Sequence, residues 1–340
     1  MKQVKLAELA NKAGVSPTTV SRALNKSGYV SEEVSKRIER AIEETGYIHP
    51  VKTKHVHRDK LVGVITLHSA LSPYLGELTQ MIHDKAEENG YYALQVSTSN
   101  LGNAELRYHV NRLALIGVCG LIICSFNAPN LESETQEILF KSNIPVVFLE
   151  RAPDCYGFNC VLVDNKLGTY TATRYLIDRG HSHLAYISLA KKMDVEVSRT
   201  NGFLKAIEQE PKGSLTYHLL QCKTISPSDA AEALKEAIVK DPQISGVITW
   251  NDVYAAGAVQ YFERIGRHVP EDVEVIGYDN VLAPHLVLPL SSVAMPIEEI
   301  ASAAIEIIKR NQKDSSTPRT ITLEPHLVIQ NNGRHSLDKP

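Results

Sequence analysis

Residues 13–25 restrict the fold of their surroundings more than any other part of the chain: Ala-Gly-Val-Ser-Pro-Thr-Thr-Val-Ser-Arg-Ala-Leu-Asn. Gly14 can take the positive φ of a tight corner between two helices. Ser16 is a strong N-cap, and Pro17 stands at the first helical position, where a missing N–H costs nothing. In the helix that follows, Val20, Ala23 and Leu24 recur on one face, and Thr18, Thr19, Ser21 and Arg22 fall elsewhere. An open face of small hydroxyls with one arginine suits a DNA major groove. Hydroxyls bond phosphate oxygens, and arginine grips guanine O6 and N7 with two parallel bonds.

Upstream, residues 4–10 predict a first helix with Leu6, Leu9 and Ala10 inward. Downstream, Ser31 caps a third helix over 32–44, whose Val34, Ile38, Ala41 and Ile42 form an inward stripe that Thr45-Gly46 ends. Helix, glycine corner and capped helix make a helix-turn-helix unit, although a ligand-free corner between helices has the same outline. The matching residues are Ala13-Gly14-Val15-Ser16, Thr19-Val20-Ser21-Arg22, Leu24-Asn25, Val30-Ser31 and Gly46-Tyr47. In these the segment closely resembles the headpiece of the lactose-repressor/galactose-repressor (LacI/GalR) family of bacterial transcription regulators. On that reading Thr18 and Arg22 contact bases, and Pro17 touches a thymine methyl. Thr19, Ser21, Asn25 and Ser31 hold the DNA backbone.

Charge points the same way. Residues 1–60 carry twelve Lys/Arg against seven Asp/Glu, while the rest carry 24 against 32. A basic head on an acidic body is expected where only the head meets a polyanion. At 340 residues the chain suits two or three domains, and 43% hydrophobic with 6% aromatic residues suits soluble globular material. No apolar run follows Met1 and none reaches ~18 residues, so neither a secretory signal nor a membrane span is expected. Five cysteines without a CxxC pair read as reduced thiols in a cytoplasm.

Residues 50–60 form a linker with almost nothing to bury. At this place the resemblance implies an Asn and an Ala-Arg-x-Leu run, a hinge helix whose leucine wedges into the minor groove. The chain lacks that run, and the spacing from Tyr47 to Gly63 is about two residues short. Two readings stay open. Val51 or Val56 serves as the wedge with Lys52, Lys54 and Arg58 on phosphates, or the segment is a solvated basic tether. No carboxylate or cysteine frames His49, His55 and His57, so no metal is expected there.

From Leu61 onward, strand-like runs at 61–67, 92–96, 120–125, 145–149, 184–188, 246–249 and 273–276 alternate with helical stretches at 74–89, 104–115, 165–179, 229–239 and 252–265. That alternation predicts an α/β body of doubly wound parallel sheets. The resemblance implies two similar lobes joined by three crossovers, as in periplasmic sugar-binding proteins. The expected organisation is a helix-turn-helix headpiece at 1–49, a linker at 50–60 and a two-lobed body at 61–330. Lobe one covers about 61–161 plus 291–320, and lobe two about 162–290 plus 321–330. The polar tail 331–340 has no heptads.

Ligands of parallel sheets sit beyond the carboxyl ends of the strands. The residues there are His68, Ser72 and Tyr74 after the first run, Asn127 after the third, Trp250 and Asn251 after 246–249, and Asp279 after 273–276. Arg199 reads as lying at the start of a helix, and Trp250 at the cleft mouth. Arginine, asparagine and aspartate beside a tryptophan form a sugar-like site: paired donors and acceptors for hydroxyls, and an aromatic face for a pyranose. Alone, Asn251 or Asp279 reads equally as a helix cap and Arg199 as a surface charge. The family pattern Arg-x-x-Gly-Phe, Asn-Asp and Gly-Phe-Asp is matched here by Arg199 with Gly202-Phe203, by Asn251-Asp252, and by Gly277-Tyr278-Asp279. The resemblance implies that Arg199, Asn251 and Asp279 hold an effector. Ser72-Pro73-Tyr74 is a relaxed form of its Asn-Pro-Phe, and His68 stands where the family usually has Asp.

No GxGxxG, Walker, HExxH or GxSxG motif is present, so no enzyme, cofactor or metal site is expected. The one carboxylate pair that glycoside chemistry would use, Asp164 and Asp279, reads as ligand contact instead. The expectation is therefore a cytoplasmic homodimeric repressor of carbohydrate-utilisation genes, associated with the nucleoid when bound to a near-palindromic operator. A sugar or sugar-like effector between the lobes would bias two states of different operator affinity. The alternatives are a ligand-binding protein whose head no longer recognises DNA, and a sugar-processing enzyme.

Overall fold

The computed structural model describes residues 6–25, 28–45, 47, 60–68, 72–128, 130–153, 157–190, 193–287, 290–311 and 317–330. The chain divides into two units, residues 1–57 and 58–340. The linker readings at 50–59 lie outside the described residues, as does Gly46.

The first unit holds α1 (Leu6–Ala13), α2 (Pro17–Asn25) and α3 (Glu32–Thr45). Their inward stripes meet in a small core of Leu9, Ala10, Ala13, Val20, Ile38, Ala41 and Tyr47, with Leu6, Ala23, Leu24, Val34 and Ile42 packed around it. Gly14 takes φ +66°, and the Val15 N–H closes back on the Ala10 carbonyl at 3.0 Å. A left-handed residue at this corner satisfies carbonyls that α1 leaves open. Ser16 Oγ accepts from the Thr19 N–H at 3.1 Å, and Ser31 Oγ from the Val34 N–H at 3.4 Å, so both expected caps are present. Arg37 adds a tie that periodicity does not reveal. Its Nη2 donates to the carbonyls of Ala13 (2.6 Å) and Gly14 (3.0 Å), pinning the corner to α3.

The second unit contains two six-stranded sheets. The first is built from β1 (Leu61–Leu67), β2 (Tyr92–Thr98), β3 (Gly120–Cys124), β4 (Val146–Leu149) and β5 (Asn159–Val163), connected through α4 (Pro73–Glu88), α5 (Asn103–Ile116) and α6 (Ser133–Lys141). The chain then crosses into α7 (Asn165–Asp178), β6 (His183–Leu189), α8 (Asp194–Glu208), β7 (Thr216–Cys222), α9 (Pro227–Lys240), β8 (Gly246–Thr249), α10 (Asp252–Arg264), β9 (Glu274–Asp279) and β10 (Ser291–Ala294). It returns through α11 (Ile297–Asn311) and β11 (Thr320–Leu323) and ends in β12 (His326–Val328). The strand orders are β11-β5-β4-β3-β1-β2 and β12-β10-β9-β8-β6-β7. Every pairing is parallel except β10 with β12. The inner strands β3, β4 and β8 are buried throughout, as sheets covered by helices on both faces require.

Two of the expected lobe boundaries move. Residues 291–294 belong to the second sheet, where Ser291–Ala294 pairs in register with Ile276–Asp279, and residues 320–323 belong to the first, paired with 160–163. The crossovers therefore fall at Asp164, at Met295-Pro296 and at Glu324-Pro325. Strands of three or four residues carry too little pattern to name their sheet; that is decided by which neighbour completes their hydrogen bonds.

Candidate functional site

On the headpiece, burying Val20 and partly burying Ala23 and Leu24 turns the opposite side of α2 outward. Pro17, Thr18 and Arg22 are exposed, and Thr19, Ser21 and Ser31 are half-buried. The Thr19 hydroxyl is 2.8 Å from that of Ser16, and the Ser31 hydroxyl is engaged as the cap of α3. Asn25 ends α2, but its side chain lies outside the described residues. The aliphatic stem of Arg22 runs beside Gly28, where a β-carbon would sit 3.5 Å from Cδ. Tyr29, which the sequence reading passes over, follows in the same turn with 93% of its surface exposed.

In the body, the carboxyl ends of the strands in both sheets converge on Arg199. This side chain is not at a helix start: α8 begins at Asp194, so Arg199 lies in its second turn, 4% exposed. Its guanidinium is fully engaged. Nε donates to Asn165 Oδ1 at 2.8 Å, Nη1 donates to the Trp250 carbonyl, and Nη2 lies 3.5 Å from Asp279 Oδ1. Its central carbon is 3.5 Å from the centre of the Tyr278 ring and 5.5 Å from that of Trp250. Asn165, the first residue of α7 after the Asp164 crossover, thus ties a lobe junction to the arginine. Burial pushes the Asp279 carboxyl up to about 7 against the opposing pull of Arg199.

The loop bearing Asp279 is braced from α10. Asp252 Oδ2 accepts from the N–H groups of Val281 (2.8 Å), Leu282 (2.9 Å) and Ala283 (3.1 Å), while its Oδ1 accepts from Ser292 Oγ at 2.7 Å. Gly277 is required beneath this brace, because any β-carbon there would collide with Asp252 Oδ1. Opposite, Ser125 after β3 donates to Glu150 Oε2 after β4 at 2.5 Å. Burial raises the Glu150 carboxyl, while Ser125, Tyr74 and Arg199 work to lower it. Four non-glycine residues here hold positive φ: Ser125 (59°), Glu150 (67°), Asp279 (93°) and Asn280 (55°). Backbone strain concentrates where a site has to be preformed. Nearby, Arg151 Nε pairs with Asp194 Oδ2 at 2.7 Å, joining the first lobe to the start of α8.

The expected effector residues divide. Tyr74, Arg199, Trp250 and Asp279 come together with Glu150. Trp250 is 9% exposed, a buried wall and not the cleft mouth, and Tyr74 is 5% exposed. Among the described residues the Trp250 Nε1 has no hydrogen-bond partner, and the Tyr74 hydroxyl has none beyond the Glu150 carboxyl that it faces. Asn251 uses its Oδ1 to cap α10, accepting from the Tyr254 N–H at 3.0 Å, and Ser72 caps α4 through the Leu75 N–H at 3.4 Å. Asn127 donates to Asn100 Oδ1 at 2.8 Å in a first-lobe loop, and His68 stands exposed at the end of β1. Outside the expected effector set, the structure adds Glu150 and Glu77, together with Ser125 at the end of β3 and Asn165 at the Asp164 crossover. The strand-end rule applied after Leu149 would have found Glu150. A cavity of about 210 Å³ opens at Asp279, lined also by Glu77, Asn280, Val281, His285 and Met295.

Asp164 is committed to capping α7 through the Leu167 N–H at 2.9 Å. Among the described residues no group of three or more His, Cys, Asp and Glu is placed to hold a metal ion, and no helix is long and apolar enough to cross a membrane.

Comparison with known proteins covers both units. Residues 5–50 match the lacI family of bacterial regulatory proteins, and residues 173–331 match the periplasmic binding protein-like domain. Among curated relatives, the HTH-type transcriptional repressor PurR of Histophilus somni is 28% identical over 329 residues, covering 96% of this chain and 97% of that one. The HTH-type transcriptional regulator DegA of Bacillus subtilis is 29% identical over 337 residues, covering 97% and 96%. Among solved structures, a CelR–cellobiose complex superposes with TM-score 0.66 at 24% identity over 97% of this chain and 100% of that one. A lac repressor dimer bound to operator and an anti-inducer superposes with TM-score 0.68 at 21% identity over 96% and 98%.

Proposed function

Because the chain belongs to the LacI family of bacterial regulatory proteins, and so is a DNA-binding transcriptional regulator with a ligand-binding body, we propose that it is a repressor of carbohydrate-utilisation genes governed by a sugar or sugar-like effector. The observation that carries this reading is the cleft around Arg199. A buried arginine faces Asp279 there, the buried Tyr74 hydroxyl faces Glu150, and the buried Trp250 Nε1 has no partner among the described residues. Unpaired buried polar atoms are costly, and a polyhydroxy ligand satisfies them. The cellobiose and lactose named for structural neighbours favour the same class.

In the headpiece, Thr18 and Arg22 read bases, Pro17 meets a thymine methyl, and Thr19, Ser21, Asn25 and Ser31 steady the phosphates. Two copies bind a near-palindromic operator in the cytoplasm, and the dimer reported for the lac repressor neighbour supports that stoichiometry. The effector acts by favouring one lobe arrangement over another, so its influence on operator affinity equals its differential affinity for the two.

The test is a titration of the full-length chain on duplex DNA from upstream of its own operon. Retention should fall steeply as salt rises. Addition of the effector should then change operator affinity. Absence of retardation at low salt removes the operator-binding role and leaves a ligand-binding protein with a silent head.

A further inference from the structure

The charges that line the cleft do not balance. Arg199 brings one positive charge, and its three nitrogens are already committed to Asn165, the Trp250 carbonyl and Asp279. Against it stand the half-buried Asp279 and Glu150. Ser125 donates to one oxygen of Glu150, and among the described residues no ion pair neutralises that carboxylate. The neighbouring Arg151 pairs with Asp194 and donates to the Ala128 carbonyl. Glu77 and His285 both line the cavity from exposed positions, where solvent screens them.

A second, independent feature points to a ligand. The Nε1 of Trp250, a side chain only 9% exposed, has no hydrogen-bond partner among the described residues, and the hydroxyl of Tyr74, only 5% exposed, has none there beyond the Glu150 carboxyl that it faces. A lobed clamp closing on a neutral sugar would seal Glu150 into a dry site as an uncompensated charge, which is expensive. Closing on a phosphate or carboxylate would add a further negative charge. A ligand that brings its own positive charge removes the difficulty, and aromatic rings beside a carboxylate are suited to receive an ammonium group.

Resting on the reading of this cleft as the effector site, we propose that the effector carries a protonated amino group on a polyhydroxy skeleton: an amino sugar or a related hydroxylated amine. Glu150 receives the ammonium beside the Tyr74 ring. Asp279 and Trp250 Nε1 bond the hydroxyls, one as acceptor and the other as donor. Anionic sugars are excluded.

The experiment titrates the full-length protein with a charge-matched panel, following Trp250 emission and thermal midpoint. The panel holds hexosamines and aminopolyols, their parent sugars and polyols, their N-acetyl forms, sugar 6-phosphates, uronic acids and nucleobases. The expected result is an amine that binds at least tenfold tighter than both its parent and its N-acetyl form. In Glu150→Gln that preference should collapse toward unity while the circular dichroism spectrum is unchanged. A neutral or anionic sugar or polyol as the tightest binder overturns the proposal and leaves the sugar-cleft reading standing. So does an amine preference that survives in Glu150→Gln. A nucleobase as the tightest binder overturns both the proposal and that reading, and so does silence across the whole panel.

Discussion

The Arg199 guanidinium sits over Tyr278, its central carbon 3.5 Å from the ring centre, while its nitrogens reach Asn165, Trp250 and Asp279. One side chain thereby connects the first residue of α7, the end of β8 and the end of β9. Arginine serves here because a planar, always-charged fork can stack and donate at once; lysine cannot do both. Arg199→Ala strands Asp279 and should cost roughly 3–5 kcal/mol of body stability, the range for breaking one partner out of a buried pair. Arg199→Lys should recover part of that stability without restoring ligand response. Denaturant unfolding of both variants, alongside Trp250 titrations, measures the two effects separately. A fully stable Arg199→Ala would show that the guanidinium does not hold the site together.

Asp279 makes stability depend on pH in an unusual direction. Burial raises its carboxyl to about 7, above the ordinary aspartate value, so the folded chain holds a proton there that the unfolded chain releases at lower pH. Stability from this group is fully present below the unfolded value near 4 and declines as pH rises toward 7, after which the loss is complete. The wild type should therefore lose stability relative to Asp279→Asn between pH 5 and pH 8. Paired urea titrations at the two pH values give the difference. A gap that stays constant across that range would place the Asp279 carboxyl at its ordinary value.

How far the sequence discloses this molecule depends on the range of the interaction concerned. Ser16, Gly14 and Ser31 are local devices acting within three or four residues, and all three are legible. So are β1 and β8, whose ends match the expected 61–67 and 246–249. The start of α8 is not legible, because its Met193 N-cap makes no side-chain bond; Ser198-Arg199 inside the helix resembles a beginning more than Met193-Asp194 does. β11 and β12 change sheets through pairings with strands far away in the chain, and β10, too short to show its sheet, stays beside β9. Glu150 is legible as a strand-end residue after Leu149, but what it does there is not. Its role comes from Tyr74 and Ser125, which only folding brings beside it.

Arg37 offers a test of the helix-turn-helix corner independent of base reading. Its Nη2 satisfies two carbonyls at the end of α1, at 2.6 and 3.0 Å. Arg37→Ala should destabilise the headpiece by about 1–3 kcal/mol, the scale of charge-assisted bonds and of carbonyls left unsatisfied. Operator affinity should weaken evenly for all sequences, since α2 keeps its face while losing its support. Thermal unfolding followed by helical circular dichroism measures the first effect, and binding to a library of single-base operator variants the second. A selective loss at one base position would instead put Arg37 in the groove.

Arg22 should behave in the opposite way. Its stem lies beside Gly28 on an exposed helix face, so truncation removes little packing and should leave headpiece stability within about 0.5 kcal/mol. Operator binding is another matter. A bidentate arginine–guanine contact discriminates against the wrong base by roughly 1–3 kcal/mol, and Arg22→Ala should lose that amount on the preferred sequence while losing little on sequences already mismatched there. Preference should flatten at one base pair per half-site. The slope of affinity against salt should hardly change, because a base contact releases few phosphate counterions. Thr18→Ala gives the internal comparison: the same exposed face, a smaller loss, and a different base position affected. If Arg22→Ala weakened every sequence equally and reduced the salt slope by about one, Arg22 would be a phosphate anchor, and base reading would pass to Thr18 and its neighbours on α2.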